Sequence, residues 1–393
     1  MPLSVAERAV LDKIDEDHLI ELTRSMVRAH GQNPPGEEAA TVEVLAGAAT
    51  EFGLDVHEVP VRPGRNNLRA TLMGGDGPGL LLLGHTDVVP VGDGWTFDPF
   101  GGAIEAGRIY GRGASDMKGG LAACLSAMAA LRGASLSGPV ELAALVDEEE
   151  NGVGIRAHVD SAPARSYLGC INAEPTDLRT IVGARGAAYL HVAVHGTACH
   201  AGDPDKGANA IYGAAAVVAE IERMHAELAE RPHPLLGPAT FSVGQIRGGS
   251  GGSVVPAECV VIADRRILPG ESAATVLDDL RTRVEALRLA ERGLTVEVSM
   301  PMEMPPFETP AESSMAHTVG SAVADAGGPR LAPGGWTAAC DGGFIARDLG
   351  VPVVVLGPGS VAEQAHRPDE SVAIEELITA AHAYALTALR LLR

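Results

Sequence analysis

Short apolar runs bounded by glycine or proline recur along the chain: residues 79–84 (GLLLLG), 140–146 (VELAALV), 168–173 (LGCINA) and 351–357 (VPVVVLG). Unbroken runs, as opposed to alternating ones, predict parallel strands covered on both faces. Between them the pattern turns helical. Residues 117–131 place Leu121, Cys124, Leu125, Met128 and Leu131 on one face at three-to-four spacing, and 375–392 reads as a closing amphipathic helix. Strand–helix alternation of this kind predicts an open α/β sheet flanked by helices.

The middle of the chain has a different rhythm. Residues 187–194 (AAYLHVAV), 258–265 (ECVVIADR) and 294–300 (LTVEVSM) alternate as half-buried strands do, and 208–228 and 273–289 are helical in pattern. This predicts an inserted α+β domain at 184–298, with 1–183 and 299–393 forming one discontinuous domain around it. No internal repeat or low-complexity tract interrupts the scheme.

Composition narrows the function. The 393 residues leave room for roughly two or three domains. Thirty basic against fifty-one acidic side chains give a net charge of −21, which argues against a nucleic-acid or anionic-membrane partner. The five cysteines are scattered with no CxxC pair, as expected of reduced thiols in an intracellular protein. The start, MPLSVAERAVLDKIDEDH, lacks the apolar core of a signal peptide, and no apolar run reaches the ~18 residues of a membrane helix. The expected location is the cytoplasm.

The acidic and histidine residues fall where the strands end. His85 and Asp87 follow the 79–84 run, Asp147, Glu148 and Glu149 follow 140–146, and Glu174 follows 168–173. Asp116 lies in the turn GRGASDMKGG before a helix, and His366 in EQAHRPDE after the 351–357 run. Ligands of open α/β sheets collect beyond the carboxyl ends of strands. One such residue alone is ordinarily a turn or cap, and the acidic run ordinarily a solvated loop. Their recurrence at every strand end favours a metal site instead. Imidazoles and carboxylates without thiolates suit zinc, cobalt or manganese.

The segment GHTDVVP…WTFDPFGG…GRIYGRGASDMKGG resembles the M20 family of metallopeptidases, the group of acetylornithine deacetylase and succinyl-diaminopimelate desuccinylase. DEEENGVG, AEPT, HAGDP…GANAI, RRILPGES and GPGSVAEQAHRPDE match further blocks of that family in order. The resemblance implies a zinc-exopeptidase-like catalytic domain with a mixed sheet, and an inserted lid through which family members dimerise. It implies two divalent metal ions, zinc above all, with cobalt or manganese as alternatives. His85 and Glu174 would bind one ion, Glu149 and His366 the other, and Asp116 would bridge both. Asp87 would hold His85 through its second ring nitrogen. Glu148 would be the general base for a metal-activated water, and His200 the oxyanion donor reaching a partner's site. Asn209 and Arg266 would contact substrate. The register that gives Glu148 and Glu149 these roles competes with one shifted to Glu149 and Glu150.

The implied reaction is hydrolysis of the amide of an N-acylated amino acid, with a dipeptidase or carboxypeptidase as the alternative. Two departures bear on substrate: Ser253 stands where many relatives carry asparagine, and Gly343 where the desuccinylases carry arginine. The CDGGF block resembles the desuccinylases and the final block the acetylornithine deacetylases. A serine hydrolase built on Ser250 in GGSGG is the nearest rival, but GxSxG needs a strand before it and a helix after it. A non-catalytic binding protein on the same fold is the remaining alternative.

Overall fold

The apolar runs become strands. Gly79–His85 and Val140–Leu145 are buried at every position, and Tyr167–Asn172 at all but Leu168. Complete burial is what a mainly apolar run requires, and the one acidic residue in Val140–Leu145, Glu141, is buried with the Tyr167 hydroxyl donating to it at 3.0 Å. In the computed structural model, which describes residues 3–161 and 166–393, these strands form the middle of a mixed sheet. Its order runs Asp55–Arg62, Arg65–Leu72, Val140–Leu145, Gly79–His85, Tyr167–Asn172, Val353–Val355 and Ile181–Ala184. The four strands from Val140–Leu145 to Val353–Val355 are mutually parallel, so their carboxyl ends share one rim. The hairpin Asp55–Arg62/Arg65–Leu72 is added antiparallel beyond them.

Helix Gly119–Ala130 is buried along its whole length except at Ala129, so it is apolar all round and not on one face. It packs against Ile374–Leu391 and Glu16–Arg28. It also begins two residues later than its apolar spacing suggests. Asp116 and Met117 have non-helical dihedrals (φ −120°, ψ 92° and φ −134°, ψ 32°), because that stretch of backbone serves the site described below.

The chain divides into two compact units. The first comprises the chain up to Val182 with Glu308–Gly335 and Asp341–Arg393, and the second comprises Gly183–Phe307 with Trp336–Cys340. The second is a four-stranded antiparallel sheet ordered Thr240–Gly248, Glu258–Ile267, Gly186–His195, Thr295–Met304. Helices Ala210–Leu228 and Ala273–Ala286 close its core on Leu190, Val192, Val194, Val261 and Leu280. The edge strand Thr240–Gly248 is exposed along most of its length, and its apolar content is too low to announce it. No helix among the described residues is long and apolar enough to cross a membrane.

The glycines at the start of Gly119–Ala130 have a steric reason. A Cβ on Gly120 would run into the carbonyl oxygen of Ala173, the residue before Glu174, so only glycine lets the helix approach that strand end. Gly120→Ala is expected to cost about 1–3 kcal/mol as overpacking against unyielding backbone. Gly47→Ala, in helix Ala39–Glu51 with nothing within 4 Å of the added carbon, should instead gain roughly 0.5–1 kcal/mol. Urea unfolding of both variants checks the pair, and equal effects would refute the steric account.

Candidate metal centre

The shared rim gathers the polar residues. His85 is the last residue of its strand and lies level with Leu145 on the neighbour, after which the chain supplies Asp147, Glu148 and Glu149. Glu174 follows the parallel strand Tyr167–Asn172. His85 Nε2 lies 3.1 Å from Asp116 Oδ1 and 3.7 Å from Glu174 Oε1. His366 Nε2 lies 3.4 Å from Asp116 Oδ2 and 3.2 Å from the Glu149 carboxylate. Each trio, His85–Asp116–Glu174 and Asp116–Glu149–His366, offers donor atoms all within 4.8 Å of one another. Asp116 belongs to both and turns one oxygen to each.

Electrostatics make this arrangement costly without cations. Burial opposes charge on His85, but Glu174, Asp116 and Asp87 outweigh it and hold the imidazole well above its ordinary value. Hydrogen bonds to Asp116 and Glu149 raise His366 to about 10. Burial pushes Glu148 and Glu149 up, and Glu174 to about 7. Burial would raise Asp116 too, but the bonds from His366 and His85 prevail and keep it low. The protein alone thus balances clustered carboxylates by protonating its imidazoles and its deeper acids. Two divalent ions fit the same places: the donors are imidazole nitrogens and carboxylate oxygens, a set suited to zinc, cobalt or manganese.

The supporting contacts are specific. His85 Nδ1 faces the main-chain carbonyl of Asp87 at 2.9 Å, while the Asp87 carboxylate is 3.6 Å away. That carboxylate instead accepts the amides of Glu148 and Glu149, each at 3.1 Å, and Asn33 Nδ2 at 2.9 Å. Asp87 therefore fixes the ring through its backbone and the Glu148–Glu149 segment through its side chain. The Glu148 carboxylate is buried. Asp147, with φ +69°, accepts from Asn33 and Arg65 and anchors the same turn. Lys118 is wholly buried, its ammonium lowered to about 7 by burial, and donates to the carbonyls of Met26 and His30. Asn33, Arg112, Lys118 and Glu370 were not singled out by the sequence. Three of them stand inside the blocks GRGASDMKGG and EQAHRPDE, but a charged loop residue carries no periodic signal.

The other candidates lie in the second unit. His200 sits on Cys199–His200, paired with Val254, and is exposed. Its Nδ1 accepts the Gly202 amide at 3.0 Å, so the neutral ring carries its proton on Nε2. Asn209 Oδ1 caps helix Ala210–Leu228 through the Tyr212 amide at 3.3 Å. Arg266 Nε meets Asp264 Oδ1 at 2.9 Å, whereas Arg265, on the opposite face of the strand, is buried against Glu271. Ser250 is in an exposed loop followed by the strand Val254–Val255 and no helix, which removes the serine-nucleophile geometry.

Because His366 and His85 are held protonated, loading must expel protons. Metal affinity should fall as pH is lowered, and at neutral pH at least two protons, those of the two imidazoles, should leave per protein on full loading, with more from the raised carboxyls of Glu149 and Glu174. Calorimetry in buffers of different ionisation enthalpy counts them; a count of zero would contradict the ligand assignment.

Residues 81–390 match the peptidase family M20/M25/M40. The chain is 31% identical over 325 residues to an acetylornithine deacetylase of Proteus mirabilis, covering 82% of this chain and 81% of that enzyme. Its fold is similar to the M20 family metallo-carboxypeptidase Sso-CP2 of Sulfolobus solfataricus, with a TM-score of 0.79 at 19% identity over 95% of this chain and 99% of the other. It is similar also to a dinuclear metal-binding M20 peptidase of Bacillus subtilis, with a TM-score of 0.73 at 16% identity over 96% and 98% of the two chains. A match of this extent, on a rim of paired metal-ligand sets, makes the chain a member of peptidase family M20/M25/M40.

Proposed function

We propose that this protein is a di-metal amidohydrolase that removes the acyl group from an N-acylated amino acid, with an acetylated one as first candidate. The observation that carries the reading is the Asp116 carboxylate, one oxygen turned to His85 and the other to His366. The substrate class rests on the deacetylase relatives, which align over more than four-fifths of the chain. Zinc is the ion proposed. Two ions held by His85, Asp116 and Glu174 and by Asp116, Glu149 and His366 would supply Lewis acidity and lower the pKa of water.

The chain's own groups supply the rest. Glu148 is buried beside the two sets, and its main chain is fixed by Asp87. Burial first, and then the charges of Glu174, Asp341 and Glu149, raise its affinity for a proton against the opposing influence of His85. It takes the proton of the attacking water and returns it to the departing amine. His200 acts as oxyanion donor, since its Nε2–H is left available by the Gly202 contact. Arg266 and Asn209 are proposed to grip the substrate.

The first unit is proposed to be catalytic, and the second a lid and dimerisation domain. Thr240–Gly248 is an unpaired sheet edge carrying exposed Ile246, and Ile211 and Tyr212 are exposed on helix Ala210–Leu228. An uncovered strand edge with apolar side chains favours pairing with a second copy. Five free cysteines support a reducing, cytoplasmic setting.

Glu148→Ala should keep metal binding and lose turnover by about 10²–10⁴-fold. The assay is amine release from N-acetylornithine, N-succinyl-diaminopimelate, other N-acyl amino acids and dipeptides, with and without chelator. Activity confined to dipeptides would replace the deacylase reading with a peptidase, and chelator-resistant hydrolysis would sink both. For the shared-site dimer, Glu148→Ala and His200→Ala subunits co-expressed should regain roughly a quarter of wild-type activity, since half the dimers are mixed and each has one complete site. No recovery in demonstrated mixed dimers would place His200 in its own subunit's site.

A further inference from the structure

The two ligand sets are held in different ways. His85 ends a central strand and Glu174 lies just past its neighbour, so the sheet itself fixes them. His366 has no such support: its side chain is 53% exposed, and its backbone is left-handed at φ +63°. Something else must set its distance from Asp116.

Glu370, in the same loop, is 1% exposed. Its Oε1 accepts two consecutive main-chain amides, of Ser115 and Asp116, each at 3.0 Å. Its Oε2 accepts Arg112 Nη1 at 2.6 Å, in an ion pair whose side chains are 2% and 0% exposed. Arg112 then reaches back to the loop that carries His366, donating to the carbonyl of Arg367 at 3.2 Å. Its other end bonds the carbonyl of Val91 at 3.3 Å and lies over the Trp95 ring, 5.2 Å from the centroid. The Gly111 amide closes the circuit on the Glu370 carbonyl at 2.8 Å. One buried carboxylate therefore grips the backbone of the shared ligand while its own chain carries the exposed one. Amides converging on a carboxylate form a strong, directional, charge-assisted contact.

We propose that Glu370, backed by Arg112, is a positioning residue for the outer half of the metal centre, fixing the spacing of Asp116 and His366. This rests on the di-metal reading above. Loss of Glu370 removes the ion held by Asp116, Glu149 and His366 before that held by His85, Asp116 and Glu174. Both contacts are made at main-chain atoms, so the requirement is for an acceptor at Oε1 and not merely for a filled volume.

The test is calorimetric titration of metal-free protein with zinc, and separately with cobalt followed by its visible spectrum. Wild type should bind two ions. Glu370→Leu, which keeps the bulk but not the acceptors, should bind one with near wild-type affinity and the second about 10–100-fold more weakly. Glu370→Gln keeps an oxygen for the two amides and should recover much of that loss. Leucine binding both ions as wild type, both ions weakening equally, or glutamine doing no better than leucine would each overturn the proposal. If Glu370→Leu does not fold, Arg112→Lys carries the test. It retains a positive charge but cannot bond Glu370, Arg367 and Val91 together, so it should show the same one-sided loss, and unchanged second-ion affinity would overturn it. Wild type failing to bind two ions would instead sink the di-metal reading, a result distinct from any of these.

Discussion

The carboxylate of Asp116 divides its oxygens between His85 and His366, 3.1 and 3.4 Å away, with Glu174 and Glu149 completing the two sets. Two unit negative charges about 4 Å apart repel by roughly 4 kcal/mol at an effective dielectric of about 20, and here three carboxylates share a largely buried rim. Such a cluster survives only if positive charge lies between its members. In the chain alone, imidazolium rings and protonated acids provide the balance. With divalent ions the same atoms would become ligands. Loss of positive charge would therefore destabilise the rim, and the surrounding architecture is arranged to keep the repelling groups from separating.

The parallel sheet does most of that arranging. Strands Val140–Leu145, Gly79–His85 and Tyr167–Asn172 point the same way, so three separate stretches of chain each deliver a proposed metal ligand or the proposed general base to one edge. An antiparallel pair would send successive strand ends to opposite sides. Main-chain contacts then lock each delivery: the Asp87 carbonyl on His85, the Asp87 carboxylate on the amides of Glu148 and Glu149, and Lys118, two residues after Asp116, on the carbonyls of Met26 and His30. The missing side chain at Gly120 lets the following helix close up behind Ala173 and Glu174.

How much of this was legible follows from what each residue does. The buried strands could be read because burial on both faces leaves an unbroken apolar run. Hydrophilic strands such as Arg65–Leu72 and the exposed edge Thr240–Gly248 leave no such trace. His85, Glu174, Glu148 and Glu149 stood out because they follow apolar runs directly. Asp116 and His366 were signalled less directly, by a glycine-rich turn before a helix and by a place some residues after an apolar run, since loops bring them in. Arg112, Lys118 and Glu370 were invisible as a group: their partners are main-chain atoms or each other, far apart in sequence, as in the 258 positions between Arg112 and Glu370. The helix at Gly119 starts late because the non-helical backbone at Asp116 and Met117 presents the proposed bridging ligand instead of continuing the helical hydrogen bonds.

The same division of labour explains the asymmetry of the centre. His85 is 1% exposed at the end of a buried strand, while the His366 side chain is 53% exposed in a loop. A site closed on both sides by sheet residues would hold its ions firmly but admit no substrate. A site built wholly on loops would admit substrate but could not keep donors within a few tenths of an ångström of their working positions. Placing the inner set on the sheet and the outer set on a loop satisfies both demands, with Asp116 as the common member that transmits rigidity from one to the other. The outer set then needs a tether of its own, and the buried Glu370–Arg112 pair stands where such a tether has to be.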